Sequence, residues 1–433
     1  MRDYVIFGMF FGMLPFIFKR PAIGLLAYAL FSLMNPHRLT YGAAYNFPFA
    51  AIIAVVTVLA VLFSKQAKRM PQTPVTITLI LFFCWMTFTS FFAQEPGLVW
   101  DGWEKVMKTF LMVFLTMLVL ESEKDIKGLA WVMGISLGFF GLKGGIFTIT
   151  SGGANRVWGP PGSYITDNND IALALVIAVP IIWYLQAHVD KKWIKVGLIG
   201  IAILSVVAAV GTYSRGALLA CLAMFCFLWL KSRRKIPVAL AILLIVPLVL
   251  MLMPDQWFDR MQSIRDYKED ASALGRFNAW HFATNLAKDK ILGGGFNVFT
   301  PRMFLLYAPD PLDPHAAHSI YFRLLGEHGF IGLIIFLLLM GFAFRNGTHI
   351  IKFCKDKSDL KWAADLAAMC QVSMIGFAVG GAFLSLSYYD FYYYVIAILY
   401  LLKKLLLLPP QTTMRAISSE VPSNIKNLRL GAR

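Results

Sequence analysis

His318 stands where a long hydrophilic segment meets an apolar one, and its imidazole is a candidate general base. The segment Pro254–His318 is rich in Arg, Lys, Asp and Trp, whereas the residues that follow are those of a membrane helix. An imidazole changes its charge state near neutral pH, so at a helix mouth it could take a proton from a substrate hydroxyl. His315 is the competing candidate. An interfacial histidine that only caps the helix is the ordinary alternative.

Arg215 and Arg276 are candidates for binding an anion. Arg215 lies at the junction of two long apolar segments, where a charge is costly unless it meets an anion. A guanidinium binds phosphate oxygens through paired hydrogen bonds. Arg276 precedes Trp280 at a helical i,i+4 spacing, which places both on one face. The alternatives are an Arg215 that snorkels to the interface and an Arg276 that is only solvated.

Short polar side chains gather at two further points on the same predicted side of the membrane. Asp167, Asn168 and Asn169 lead from a turn-rich loop into an apolar helix, so they could bind a sugar or a phosphate, or simply cap the helix. Asp390 is a carboxylate able to orient a histidine or an arginine. The tyrosines beside it, 388–394, predict an aromatic belt at the membrane interface.

The composition predicts an all-α, polytopic membrane protein that positions these residues. The 433-residue chain is 58% hydrophobic and 15% charged, with a mean hydropathy of +0.65. A helix needs about 20 apolar residues to cross a bilayer, and the apolar runs give roughly 12 spans. The candidate spans are 4–18, 22–34, 47–63, 75–93, 104–120, 126–149, 170–187, 194–210, 216–231, 237–253, 319–344, 363–386 and 391–408.

The charge pattern sets the predicted sidedness. Basic clusters occur at every second turn, which the positive-inside rule assigns to the cytoplasm. The net charge of +16 is therefore better explained by membrane topology than by nucleic-acid binding. The clusters are Lys65/Lys68/Arg69, Lys191/Lys192/Lys195, Lys231/Arg233/Arg234/Lys235, Lys352/Lys355/Lys357/Lys361 and Lys403/Lys404.

This sidedness divides the chain into four predicted parts. Residues 1–253 are transmembrane helices with short loops, 254–318 a large outer loop, 319–408 the C-terminal transmembrane helices, and 409–433 a cytoplasmic basic tail. The outer loop is predicted to be partly helical, because Ser272 could cap a helix that runs to Ala287 and stops before Gly293–Gly295.

The sequence carries no zinc motif, no phosphate-binding Gly-rich loop and no Asp-x-Asp carboxylate pair on the outer side. The five cysteines have no metal-ligand spacing. These features favour chemistry with an already activated donor, without a metal or another cofactor.

The sequence resembles the O-antigen ligase family of bacterial envelope enzymes, which is related to the O-antigen polymerases. The resemblance covers most of the chain. Leu33–Leu39 also resembles a subgroup of O-glycosylation ligases found beside exosortase systems. The motifs that carry the family resemblance are Asp167–Asp170, Arg215 with Leu219, Arg276 with Trp280, and His318-Ser319 followed by Leu325, Glu327, Gly329 and Gly332.

The resemblance implies an enzyme of the bacterial inner membrane whose active site faces the periplasm. Its donor would be a glycan linked to undecaprenyl diphosphate, and its acceptor a sugar hydroxyl of lipid A–core. His318 would act as general base, Arg215 and Arg276 would hold the diphosphate, and the anomeric centre would be inverted. The remaining candidates for donor or acceptor binding are Asp167, Asn168, Asn169, Trp280, His315 and Asp390.

Three alternatives remain open at this point. An O-antigen polymerase uses the same donor with a second lipid-linked repeat as acceptor. A protein O-glycosylation ligase uses a Ser or Thr hydroxyl. A transporter of lipid-linked sugars would do no chemistry, but it usually needs polar residues in mid-membrane, and the apolar runs here carry almost none.

Overall fold

The computed structural model describes residues 2–64, 70–231, 235–251, 253–262 and 271–407. Some of the sequence predictions lie outside the described residues, wholly or in part: the basic cluster Lys65/Lys68/Arg69, the pair Arg233/Arg234, the outer loop at 263–270, and the tail 409–433.

The described residues form helices and turns without a strand, which confirms the all-α class. Several helices begin where a short polar side chain accepts the first free amides, as Thr73 does before Pro74 and Ser122 before Glu123. In chain order the helices are α1 (Arg2–Lys19), α2 (Pro21–Met34), α3 (Phe49–Phe63), α4 (Pro74–Phe91), α5 (Pro96–Val119), α6 (Glu123–Thr150), α7 (Asn168–Ala187), α8 (Lys192–Val210), α9 (Arg215–Lys231), α10 (Lys235–Met251), α11 (Asp255–Gln262), α12 (Ala271–Asp289), α13 (Pro301–Tyr307), α14 (Ile320–Phe353), α15 (Lys361–Gly380) and α16 (Asp390–Leu407).

Every predicted span coincides with one of these helices, namely α1–α10 and α14–α16. Within the described part of the chain, six segments are long and apolar enough to cross a membrane. They are Pro74–Phe91, Glu123–Thr150, Asn168–Ala187, Lys192–Val210, Ile320–Phe353 and Ser358–Phe383.

Small residues let the helices of the bundle approach one another closely. A Cβ on Gly141 of α6 would lie 1.9 Å from Ser205 Oγ of α8, and one on Gly145 would lie 2.4 Å from the Leu204 carbonyl oxygen. Small residues are the usual means of helix association in membranes, where no hydrophobic driving force acts between helices. α7, which leads into the candidate site, packs against both α6 and α8.

The segment 254–318 folds as a helical unit over the bundle. It contains α11, α12 and α13, so the prediction that this segment is partly helical is confirmed. Ser272 lies within α12 rather than at its cap, and the helix ends at Asp289, before the glycines. α12 and α13 share an apolar core, in which Phe282 stacks on Phe304 at 4.4 Å between ring centroids, whereas Trp257 of α11 packs with Val207 and Val210 of α8.

The predicted aromatic belt is wrong. Tyr388, Tyr389 and the tyrosines at 392–394 are between 0% and 2% exposed. α16 packs against α5, α14 and α15, so its first turns lie inside the bundle and not at a lipid interface. A helix that is apolar on all sides is buried, and the tyrosine rings fill the core around it.

Candidate active site

His318 sits at the junction between the folded segment 254–318 and α14. Its backbone has φ 41°, a region that non-glycine residues rarely occupy, and the chain turns there into the extended Ser319 that precedes α14. Such a conformation costs on the order of 1–3 kcal/mol, so the surrounding contacts must hold it. Ser319 Oγ is buried beside it and has no hydrogen-bond partner among the described residues.

Trp280 holds the backbone next to His318. Its indole Nε1 donates to the carbonyl oxygen of Ala317 at 2.7 Å. Its ring stacks on Phe322 with 4.8 Å between centroids and an interplanar angle of 8°. One side chain of α12 therefore fixes both the residue before His318 and the first turn of α14. This contact makes Trp280 a positioning residue for the imidazole.

His315 is tied to α12 in a different way. A Cβ on Gly275 would come within 2.9 Å of the His315 ring, so the imidazole packs directly on the α12 backbone. Its Nδ1 lies 2.9 Å from Asp313 Oδ1. Asn278 donates to the carbonyl oxygens of Asp310 and Asp313. These bonds fix the segment before His318 to α12.

His318 has an electrostatic environment that favours its neutral form. Burial lowers the pKa of the imidazole below its ordinary value of 6.5, and the positive charge of Arg276 lowers it further. The Asp167 carboxylate opposes these effects, and His315 adds to them. The neutral ring at pH 7 can accept a proton, which is the state a general base requires.

The turn at 167–169 reaches this site from α7. Asp167 caps α7 by accepting the Asn169 amide at 2.8 Å, so the predicted capping role is confirmed. Asn168 is buried and donates to the Thr212 carbonyl oxygen at 2.8 Å. The turn thereby connects the surroundings of His318 to the start of α9.

Arg215 is the first residue of α9 and follows a tightly anchored turn. Tyr213, with φ 62°, donates its hydroxyl to the Gly153 carbonyl oxygen at 2.7 Å. Trp257 of α11 donates to the Val210 carbonyl oxygen at 3.1 Å. Gly216 packs on Phe383, and the Phe383 ring also approaches Trp280. Phe383 therefore connects α9 with α12.

An apolar groove of about 370 Å³ runs along the bundle from the end of α8 that adjoins Arg215. At that end it is lined by Val210, Leu218 and Leu250, and at the far end by Trp229. α8, α9 and α10 form its walls, and every lining residue is apolar or a cysteine. The groove can therefore hold part of a hydrocarbon chain.

α14 is broken at Gly329, and segment 254–318 fills the break. Gly329 has φ 68° and ψ −174°, a conformation essentially restricted to glycine. The carbonyl oxygens of residues 326–328 thus lose their helical partners. They accept instead from the Gly294 and Gly295 amides, each at 2.8 Å, and from Trp85 Nε1 at 2.9 Å. The Leu-Gly-Glu-His-Gly sequence at 325–329 and the three glycines at 293–295 therefore contact each other at the break in α14.

The sequence analysis assigned no role to the polar side chains around the break in α14. The Glu327 carboxylate is 1% exposed and accepts from Arg323 Nε at 3.2 Å, from the Asn297 amide at 3.2 Å and from the Tyr388 hydroxyl. The Arg323 guanidinium also lies 5.0 Å from the centroid of the Tyr388 ring. The i,i+4 pair Arg323/Glu327 in an apolar helix was the signal available in the sequence.

Glu327→Ala is expected to destabilise the protein by roughly 3–5 kcal/mol, because it leaves Arg323 without its buried partner. The measurement is thermal unfolding in detergent. Glu104→Ala is the matched control, since it breaks an i,i+4 pair with Lys108 in which both side chains are more than half exposed. Such a pair contributes little. Equal losses in the two variants would remove Glu327 from this role.

Asp390 is the first residue of α16. Its carboxylate is 1% exposed and accepts from the Ser32 hydroxyl and from the Phe391 amide. It therefore ties α16 to α2.

Within the described residues, no group of three His, Cys, Asp or Glu side chains is placed to hold a metal ion.

The chain matches two known families over separate regions. Residues 1–190 match a family of unknown function, and residues 200–337 match the family described as O-antigen ligase. No curated protein matches the chain. The second region contains most of the site: Arg215, Arg276, Trp280, His315 and His318.

The helices and the site define a multi-pass membrane protein in which His318, with the positive charge of Arg276 acting on it, lies at one end of a helical bundle. Residues 200–337, about a third of the chain, match the O-antigen ligase family, which supports membership of that family. The match supports a glycosyl-transferring enzyme, and the family implies lipid-linked glycan substrates in general.

Proposed function

We propose that the protein transfers a polysaccharide from undecaprenyl diphosphate to a sugar hydroxyl of lipid A–core. The reaction would take place at the periplasmic face of the bacterial inner membrane, without a metal or a nucleotide. The observation that carries the proposal is the position of His318 at the start of α14, where Trp280 holds the preceding residue and where burial and the charge of Arg276 lower the pKa of the imidazole.

The proposed topology has roughly 12 spans, with the segment 254–318 in the periplasm. The basic turns between α7 and α8 and between α14 and α15 then lie in the cytoplasm. Arg215 and His318 then lie at the ends of α9 and α14 that face away from the cytoplasm. A lipid-linked donor can reach both from the outer leaflet.

The donor's polar and apolar parts each have a counterpart. A diphosphate at Arg215 meets a guanidinium that can bind its oxygens through two hydrogen bonds. The polyprenyl chain then enters the apolar groove between α8, α9 and α10, which begins at Val210 and Leu218. This arrangement brings the anomeric carbon to the mouth of the bundle while the hydrocarbon remains in the membrane.

The proposed reaction is a direct displacement. His318 takes the proton of the acceptor hydroxyl as its oxygen forms a bond to the anomeric carbon. The bond from that carbon to the diphosphate breaks, and the negative charge that develops on the leaving group is stabilised by Arg215 and Arg276. Undecaprenyl diphosphate leaves, and the configuration at the anomeric carbon is inverted.

A transfer assay in nanodiscs tests this function. Purified protein would be given undecaprenyl-diphosphate-linked glycan, EDTA and one of three acceptors: lipid A–core, a second lipid-linked repeat, or a Ser/Thr-containing polypeptide. Transfer to lipid A–core supports the proposal. Transfer only to the second or third acceptor would make the protein a polymerase or a protein O-glycosylation ligase, and no transfer would contradict the function.

The pH dependence of the reaction should follow His318. The pKa of His318 is lowered from 6.5, so the neutral base is present at pH 7. The value of kcat/KM should fall only when the pH drops below 6.5. Arg276→Gln removes a charge that lowers this pKa, so the acid limb should move to higher pH. The limb is read from kcat/KM normalised to each variant's own maximum. An unchanged limb would contradict the assignment of His318 as the titrating base.

A further inference from the structure

Two cations that the proposed reaction does not use lie together at the side of the site formed by α5. Lys105 of α5 places its Nζ 4.2 Å from the centroid of the Tyr164 ring. The Arg323 guanidinium of α14 acts electrostatically on both Lys105 and Tyr164. Three separate elements, namely α5, the loop before α7 and α14, thus converge on one cluster.

Among the described residues Lys105 has no acidic partner in this cluster, although Glu327 pairs with Arg323 and the Asp390 carboxylate acts on Tyr164. Arg323 is paired with Glu327 and donates to the Ser385 carbonyl oxygen at 3.4 Å, yet 28% of its side chain remains exposed. Lys105 is exposed and forms no ion pair with any acidic side chain that the structure describes. Two neighbouring like charges repel, and an anion between them would remove the cost. Ser385 Oγ is buried nearby with no partner in the described ranges, and it can donate a further hydrogen bond.

The cluster adjoins the catalytic histidine but is reached from another side of the bundle. Arg323 lies in the second turn of α14, just beyond His318, and Asp167 acts on both His318 and Asp170, the latter also a neighbour of Arg323. α5 packs on α2, α4 and α16, whereas α9, which carries Arg215, packs on α7, α8, α10 and α15. The site thus has cations on two sides of His318: Lys105 and Arg323 on one side, and Arg215 on the other.

We infer that Lys105, Tyr164 and Arg323 form the subsite for a phosphate group on the acceptor glycolipid. This inference rests on the proposed function, since a transferase must hold a second substrate opposite the diphosphate donor. Lys105 and Arg323 bind the phosphate oxygens, and the Tyr164 ring holds the ammonium and offers its remaining surface to the neighbouring sugar.

The test compares Lys105→Gln with Lys108→Gln, which removes the same charge one turn further along α5. Lys108 is paired with Glu104 and is exposed. Binding of lipid A–core to nanodisc protein is measured without donor, using native acceptor and acceptor treated with phosphatase. The wild type should bind the native acceptor about tenfold more tightly than Lys105→Gln does, because a charge-assisted hydrogen bond of about 1.4 kcal/mol corresponds to that factor. Lys108→Gln should bind like the wild type.

Phosphatase treatment should weaken binding to the wild type and leave binding to Lys105→Gln nearly unchanged. Equal binding of native acceptor by the wild type and Lys105→Gln would overturn the subsite. So would a change confined to the KM for the donor, which would assign the cluster to the diphosphate. If the wild type binds acceptor as expected but transfers no glycan, the proposed function fails while the subsite stands.

Discussion

Replacing His318 by asparagine should reduce glycan transfer by a factor of about 10²–10⁴, the usual contribution of a general base. Asparagine tolerates the positive φ of this position better than alanine does, so the backbone should keep its course while the imidazole is lost. The measurement is kcat/KM for transfer to lipid A–core, together with the midpoint of thermal unfolding to verify that the fold is intact.

His315→Ala is the matched control for His318. The His315 ring packs on Gly275 and lies against Asp313, so we expect it to fix the segment before His318 rather than to take the proton. It should retain transfer within a few-fold of the wild type. A His318 variant as active as the wild type, or a His315 variant as inactive as His318→Asn, would contradict the assignment of the base.

Arg215→Gln should lower kcat/KM by a factor of about 10²–10³, the typical loss when one group that stabilises transition-state charge is removed. The reason is that the leaving diphosphate gains charge as the glycosidic bond breaks, and Arg215 stands where the apolar groove ends. The measurement is steady-state transfer with the donor varied. Arg215→Lys should recover only part of the activity, because an ammonium cannot form the paired hydrogen bonds of a guanidinium.

Arg156→Gln is the control for net charge near the same turn. Arg156 is exposed, and its guanidinium lies 5.4 Å from the centroid of the Tyr213 ring. Loss of this cation should change kcat/KM only slightly. If Arg156→Gln were as impaired as Arg215→Gln, a general attraction for the anionic donor would explain both, and a specific role for Arg215 would be excluded.

The helices were predictable from the sequence because lipid imposes a simple pattern. A spanning helix must be apolar over its length, and each predicted span coincides with a helix. α12 was predictable too, since the residues after Ser272 carry apolar side chains at helical spacing and three glycines follow them. The break at Gly329 was not, because its carbonyl oxygens are satisfied by Gly294 and Gly295, and no local pattern reveals a partner so far back in the chain.

The site was predictable as a set of residues but not as an arrangement. His318 and Asp167 were marked by polarity beside an apolar run and Arg276 by its spacing to Trp280, and the structure places Arg276 and Asp167 where both act on His318. The tyrosines around Asp390 were misinterpreted, because a tyrosine run has the same composition in a bilayer interface and in a bundle core. Only the packing of α16 among its neighbours distinguishes the two.

The stereochemistry of the transferred sugar tests the central claim most directly. One turnover of donor with lipid A–core would be quenched, the released undecaprenyl diphosphate quantified, and the anomeric configuration of the new linkage determined by NMR. The account predicts one undecaprenyl diphosphate per linkage formed and an inverted configuration. A retained configuration, or a glycan covalently attached to the protein with His318 intact, would contradict His318 as a general base in a direct displacement.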